Sequence, residues 1–268
     1  MSSEPTSPLV PPEVILVDHH DGVAVITLNR PDALNAFNRS LFVAVREALN
    51  SAAADPDVRC VVLTGTGRAF TAGSDISDDP DSKPDPSEQD PYDAFIECVE
   101  EFPKPLVAAV NGLAIGIGTT MLGHCELVLA GASARFRMPF TSLGLVPEAG
   151  STSTIPALMG RQQAVYALLT SSWISAEQAA ATGLVWRLTS DEDLLTVTLE
   201  ACAEIAAQPL ESLLSTKRLL LEERLPAARA ARNREEPEFR RLTKRPAHIE
   251  ALAAFRDRRP PDFRNLAE

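Results

Sequence analysis

Three short stretches of small and polar residues carry the pattern from which a site for a developing negative charge can be built. They are Asn29-Arg30-Pro31 with Leu34-Asn35-Ala36, then Arg68-Ala69-Phe70-Thr71-Ala72-Gly73-Ser74-Asp75-Ile76, then Asn111-Gly112 through Gly118. Each joins an apolar run to a loop or a helix start. Small residues let a backbone approach a ligand closely, and the first amides of a helix have no partner inside it. Two such N–H groups converging on one oxygen would make an oxyanion hole. Taken singly, each stretch could equally be a tight turn required by packing.

Other chemistries find less support. Gly116-x-Gly118 follows an apolar run, but Gly123 comes too late for the dinucleotide fingerprint. There is no G-x-x-x-x-G-K-[ST] run and no G-x-S-x-G run, which removes a P-loop and a serine nucleophile elbow. His19, His20, His124 and His248 show no metal-ligand spacing and read as turn and surface residues. The aspartates of 75–91 lack the glycine and closing glutamate of an EF-hand loop, so no metal site is expected there.

The elements that must hold the three stretches alternate between strand and helix. Residues 14–18 and 23–28 are β-branched runs around Asp21-Gly22, a hairpin signal. Residues 39–53 have helical apolar spacing, and 60–65 (CVVLTG) reads as a buried strand. The acidic, proline-rich stretch 75–91 predicts an exposed loop, with a helix following at about 92–101. PLVAAVNG (105–112) and ELVLAG (126–131) are further buried strands flanking a small-residue helix at 116–125. From about residue 151 nearly everything reads as helix, broken at Gly160, Gly183, Pro209, Pro226, Pro237 and Pro246. No internal sequence repeat is visible. The organisation expected is a flexible tail over 1–12, an α/β core over 13–205 and a helical region over 206–268.

Composition sets outer bounds. With 268 residues, 45% hydrophobic and 23% charged, the chain has enough apolar material for a core without disulfides. Cys60, Cys98, Cys125 and Cys202 are widely spaced and read as reduced, mostly buried thiols. The N-terminal stretch is polar and proline-rich, and no run approaches the ~20 apolar residues that span a membrane. A net charge of -12 argues against nucleic acid or an anionic membrane as partner. A cytoplasmic location is the expectation that follows.

The three stretches, in order, resemble the crotonase (enoyl-CoA hydratase/isomerase) superfamily. The phrases that carry the resemblance are N-R-P-D-A-L-N-A from Asn29, A-F-T-A-G-S-D-I from Ala69, and N-G-x-A-x-G from Asn111 followed by C-E-L-V-L-A from Cys125. It runs from about Val14 to Leu188 and more weakly through the C-terminal helices. It implies an α/β fold, a crotonase-like spiral of repeated β-β-α units with a C-terminal helical trimerisation region, assembled as a homotrimer or a dimer of trimers. The implied partner is an acyl-CoA thioester, with no cofactor beyond the coenzyme A of the substrate. Matched position by position, the oxyanion-hole amides fall on Ser74 and Ile117. The carbonyl of Ala72 falls where the adenine amino group is held, and Arg30 where the phosphate-bearing end of the coenzyme lies.

The departures bear on the reaction. The two glutamates with which hydratases of the superfamily activate water fall on Thr120 and Phe140. A threonine hydroxyl hardly ionises near neutral pH and phenylalanine cannot accept a proton. A carboxylate appears eight residues after Phe140, in the run P-F-x-x-L-G-L-x-P-E-x-G-[ST] from Pro139, which resembles the Δ3,Δ2-enoyl-CoA isomerases of the peroxisomal type. That resemblance places the catalytic base on Glu148, which would take a proton from C2 and return it at C4. Apolar neighbours (Phe140, Leu145, Val146, Ile155) would raise its pKa toward neutrality. Three alternatives stay open at this point. Glu148 could simply complement the dipole of a helix starting at Gly150-Ser151. Other carboxylates, in the 75–91 loop or elsewhere, could support hydration, dehydration or thioester hydrolysis. The chain could also bind acyl-CoA without turning it over. The acyl pocket is expected from residues 76–102 and 140–170.

Overall fold

The computed structural model describes residues 13–75, 89–264 and 266. The segment 1–12, expected to be a tail, and most of the acidic loop expected at 75–91 lie outside the described residues, as does Ile76. Strands β1 (Ile15–His20) and β2 (Val23–Leu28) pair antiparallel across Asp21-Gly22, with His20 opposite Val23. Helix α1 (Arg39–Ala54) begins where the Asn38 side chain accepts the Leu41 amide hydrogen. There follow β3 (Cys60–Gly65), β4 (Ala69–Thr71), α2 (Pro91–Glu100), β5 (Leu106–Val110), β6 (Leu113–Ile115) and α3 (Ile117–Thr120), which tightens into a 3-10 turn over Met121–His124. Then come β7 (Leu127–Gly131), β8 (Arg135–Arg137), α4 (Ser151–Met159), α5 (Arg161–Thr170), β9 (Ile174–Ser175), α6 (Ala176–Thr182) and β10 (Arg187–Thr189). The chain closes with α7 (Leu194–Ala206), α8 (Leu210–Leu242) and α9 (Pro246–Arg256).

Strands β3, β5 and β7 lie in one sheet, in the order β1-β2-β3-β5-β7-β10 and parallel throughout except for β1. The short strands that directly follow them, β4, β6 and β8, lie in a second sheet of order β4-β6-β8-β9. Each passage of strand, strand and helix (β3-β4-α2, β5-β6-α3, β7-β8-α4) is therefore one turn of a spiral. This is the mixed α/β arrangement of β-β-α units with a helical C-terminal region that the resemblance implies. The repetition is in geometry and not in sequence.

Both faces of the larger sheet are covered along its central strands β2, β3, β5 and β7, which explains their continuous apolar runs. One face, with Ile26, Leu63 and Ala108, shares a core with Phe37, Phe70 and Phe95; the other, with Val25, Val62 and Leu129, is sealed by Leu194 and Cys202 of α7. The rings of Phe37, Phe42 and Phe95, with centroids 4.8 to 5.4 Å apart, clamp α1 against α2. Cys60, Cys125 and Cys202 are buried thiols, Cys98 is half-buried, and none forms a disulfide. No helix among the described residues is long and apolar enough to cross a membrane.

The C-terminal third departs from expectation twice. Short strands β9 and β10 interrupt what reads as unbroken helix, and β10 completes the edge of the larger sheet beside β7. The breaks expected at Pro226 and Pro237 do not occur, because both prolines lie inside the 33-residue α8. An interior proline costs about 3 kcal/mol of helix, and tertiary contacts offset it here. Lys217 and Arg224 reach Glu126 at 2.5 and 3.3 Å, Arg232 reaches the fully buried Glu100 at 3.2 Å, and Ala228 and Ala231 bury against the body of the protein.

Candidate active site

Strands β4 and β6 are parallel neighbours, with Thr71 opposite Ala114, so the chain leaves the second sheet twice at the same edge. At each exit a glycine takes a left-handed conformation, Gly73 at φ 92° and Gly116 at φ 56°. The two backbones touch. A Cβ on Gly73 would stand 2.8 Å from the Ile115 carbonyl oxygen and 3.8 Å from the Gly116 Cα. The residues that follow, Ser74 and Ile117, therefore start side by side, and neither amide donates a hydrogen bond among the described residues. Two unspent donors next to each other on fixed backbone can receive one oxygen anion.

The Ser74 loop is fastened from both sides. The Phe37 amide donates to the Gly73 carbonyl at 2.7 Å, and the Asp75 amide donates to the Phe37 carbonyl at 2.9 Å. The Arg30 guanidinium donates twice to Asp75 Oδ2 at 3.2 Å and also to the Ala36 carbonyl. Arg30, expected at the coenzyme's phosphate-bearing end, thus has a structural engagement with the Ser74 loop. Replacing Arg30 with Met is expected to lower stability by about 1–3 kcal/mol, read by urea denaturation, since charge-assisted hydrogen bonds to a mostly buried carboxylate are lost. The Ala72 amide donates to the Leu34 carbonyl at 2.9 Å, while the Ala72 carbonyl accepts no hydrogen bond among the described residues.

Thr120 and Phe140 are both buried, and neither lines the cavity that Ser74 and Glu148 share. The Thr120 hydroxyl donates back to the Gly116 carbonyl at 3.3 Å, so it props the start of α3.

A cavity of about 500 Å³ opens beside Ser74, walled by Phe42 of α1, Tyr92 of α2, Glu148, and the inner face of α8 at Glu235 and Phe239. The sequence placed this pocket on 76–102 and 140–170; the contribution of α8 was missed. Burial, opposed by a hydrogen bond from the Tyr92 hydroxyl and reinforced by the nearby Glu235 charge, pushes the Glu148 carboxyl up to about 7. Burial and the facing Glu148 charge push the Tyr92 phenol well above its usual range. On the same cavity, burial and a hydrogen bond with Glu236 raise Asp93 to about 6.

The dipole of α4 is met by a residue other than Glu148. Glu235 of α8 accepts from the Gly150 amide at 2.7 Å and the Thr152 amide at 2.8 Å, which occupies the N-terminus of α4. Glu148 is left with its side chain on the cavity. Nor is His124 a surface residue. It is buried, its Nε2 lies 2.8 Å from the Ala149 carbonyl oxygen, and burial lowers it to about 4, so it is a neutral donor at physiological pH. His248 is half-buried, with Nδ1 2.8 Å from the Leu143 carbonyl oxygen.

Comparison with known proteins decides what this arrangement belongs to. The family model described as enoyl-CoA hydratase/isomerase matches residues 18–266. The chain belongs to the enoyl-CoA hydratase/isomerase family. It is 35% identical to the 1,2-epoxyphenylacetyl-CoA isomerase of Escherichia coli K12, over 94% of this chain and 98% of that protein. It is 32% identical to the 2,3-dehydroadipyl-CoA hydratase of the same organism, over 93% and 98%. Among solved structures, an enoyl-CoA hydratase/isomerase from Pseudoalteromonas atlantica T6c superposes with a TM-score of 0.89 at 36% identity, over 94% of this chain and all of that one. This is therefore an enzyme of the enoyl-CoA hydratase/isomerase family, in which named members include both isomerases and hydratases.

Proposed function

We propose that this enzyme shifts a double bond in an acyl-CoA thioester, converting a 3-enoyl to a 2-enoyl group, with Glu148 as the single proton shuttle. The supporting observation is the placement of the half-buried Glu148 carboxyl, raised to about 7, on the cavity that Ser74 also lines, while Thr120 and Phe140 supply no acid there. The thioester oxygen is received by the amides of Ser74 and Ile117. Ionised Glu148 takes a proton from C2. The C2 electron pair moves into the C1–C2 bond and charge builds on the oxygen facing the two amides. The enolate then collapses, the C2–C3 bond becomes double, and the C3–C4 electrons accept at C4 the proton that Glu148 holds. Atoms and charge balance with one carboxyl and no water. A group near pH 7 suits both halves of the task, because a base much weaker or an acid much weaker would slow one of the two transfers. The Ala72 carbonyl is the proposed acceptor for the adenine amino group.

A second reading, hydration, is favoured by a specific observation. Asp93 and Glu236 form a carboxyl pair on the same cavity, and Asp93 sits at about 6. Such a pair could hold and activate a water. The two readings separate when the wild type and Glu148→Gln are incubated with a 3-enoyl-CoA and with crotonyl-CoA and the products are resolved by chromatography. Conversion of the 3-enoyl to the 2-enoyl thioester, lost in the variant, is the expected result. Rapid hydration of crotonyl-CoA that survives the substitution would establish hydration and remove Glu148 as the base.

A further inference from the structure

We propose that Glu235 of α8 is the positioning residue for the Glu148 carboxylate, an inference that rests on the reading of Glu148 as the proton shuttle. Glu148 sits on a segment that does not hold its shape unaided. The two residues after it, Ala149 at φ 60° and Gly150 at φ 69°, are both left-handed, a conformation that costs a non-glycine residue about 1–2 kcal/mol. The helix that follows begins at Ser151 after Gly150, which has no side chain with which to cap it.

The missing cap comes from 83 to 85 residues away. Glu235 accepts from the Gly150 amide at 2.7 Å, from the Thr152 amide at 2.8 Å and from the Thr152 hydroxyl at 2.5 Å. From the other side His124 donates to the Ala149 carbonyl at 2.8 Å. The turn carrying Glu148 is thus gripped on consecutive residues by α8 and by the 3-10 turn after α3. Room is equally constrained, since a Cβ on Gly150 would stand 2.7 Å from the Ala228 carbonyl oxygen of α8. Glu235 is nearly buried, and with three donors on its two oxygens it has little capacity left to exchange protons with a substrate. Its position on the cavity wall is therefore a support for the neighbouring carboxyl.

The support is also electrostatic. The charge on Glu235 favours the protonated form of Glu148. The other titratable or charged groups facing this region are Asp90 before α2, Tyr92 and Asp93 on α2, Arg232, Glu236 and Arg240 on α8, and Lys244 after it. All of them remain in place when Glu235 is replaced by Gln, as does the neutral His124. Removing the Glu235 charge should therefore lower the pH at which Glu148 ionises.

The test uses the full chain as wild type, Glu235→Gln and Thr152→Val, each checked for folding by circular dichroism. For the 3-enoyl thioester, Glu235→Gln is expected to lower kcat about ten-fold or more with KM within about two-fold, as for a displaced catalytic group. The rise of kcat with pH should move to lower pH. Thr152→Val keeps the carboxyl and both amide donors but removes the hydroxyl that favours the ionised form of Glu235, so kcat should fall by a smaller factor and the pH profile should move in the same direction by less than in Glu235→Gln. Carbon-13 NMR titration of the Glu148 carboxyl reads the same coupling whichever reaction the enzyme runs, which separates this inference from the isomerase reading. A folded Glu235→Gln protein with unchanged kcat and an unchanged Glu148 titration would overturn it. If Glu235→Gln does not fold, wild-type kcat in Thr152→Val would do so.

Discussion

Replacing Glu148 with Gln is expected to lower kcat for 3-enoyl isomerisation by about 10³-fold or more, toward the upper end of what a positioned acid–base group contributes. The amide has nearly the shape of the acid, so the cavity, the Ser74 loop and thioester binding should persist, and KM should change little. The same substitution makes a second expectation with the opposite sign. A carboxyl raised from 4.5 to about 7 on folding binds its proton more tightly in the folded state. Its contribution to stability therefore declines as pH rises from about 4.5 through 7 and is constant beyond. At pH 8 the variant should be more stable than the wild type by about 1–3 kcal/mol, while at pH 4 the two should be close. Urea denaturation at both pH values measures this. A variant that is less active and less stable at pH 8 would mean that Glu148 is held in place for packing.

The second large effect belongs to Gly73→Ala. The new methyl carbon would stand 2.8 Å from the Ile115 carbonyl oxygen at a residue held at φ 92°, so either the Gly73 turn or the Gly116 turn must move. Either movement separates the amides of Ser74 and Ile117. The loss of one oxyanion donor costs about 10²–10³ in kcat, and that is the expected loss here. Gly67→Ala is the control. Gly67 also has a positive φ, 70°, but its added Cβ meets only the Pro31 Cβ at 3.4 Å. It should share the strain and keep most of the activity. Equal losses in the two variants would show that backbone strain, and not the geometry of the hole, sets the rate.

Much of the fold was legible because the long buried strands and the hairpin announce themselves over five or six residues. Strands β4, β6, β8, β9 and β10 are two or three residues long, too short for any periodicity to show. Yet β4 and β6 are the strands that aim the Ser74 and Ile117 turns. Those turns were legible only as phrases of small residues. Glu148 was reached through its surrounding run, but its rivalry for the α4 dipole could be settled only by seeing Glu235 there. Glu235 lies among Glu236, Glu238 and a row of arginines, where charge alone marks nothing. The one available signal was its helical register with Ala228 and Ala231, at i, i+3 and i+7, which turns it inward with two small buried residues. His124 and Tyr92 had no such pattern, since contacts across 25 residues for the first and with a separate segment for the second are set by the spiral.

The touching backbones of Gly73 and Gly116 have a genetic consequence. In the proposed mechanism the two oxyanion donors are main-chain groups, and every residue but proline at positions 74 and 117 presents one. Codon changes at those two positions seldom erase the electrophilic half of the site, whereas changes at the glycines before them damage it through shape. The proton-moving half rests on side chains, each replaceable by a single mutation. A lineage built this way can drift from one thioester reaction to another by exchanging wall residues over an oxygen cradle that does not need to be reinvented.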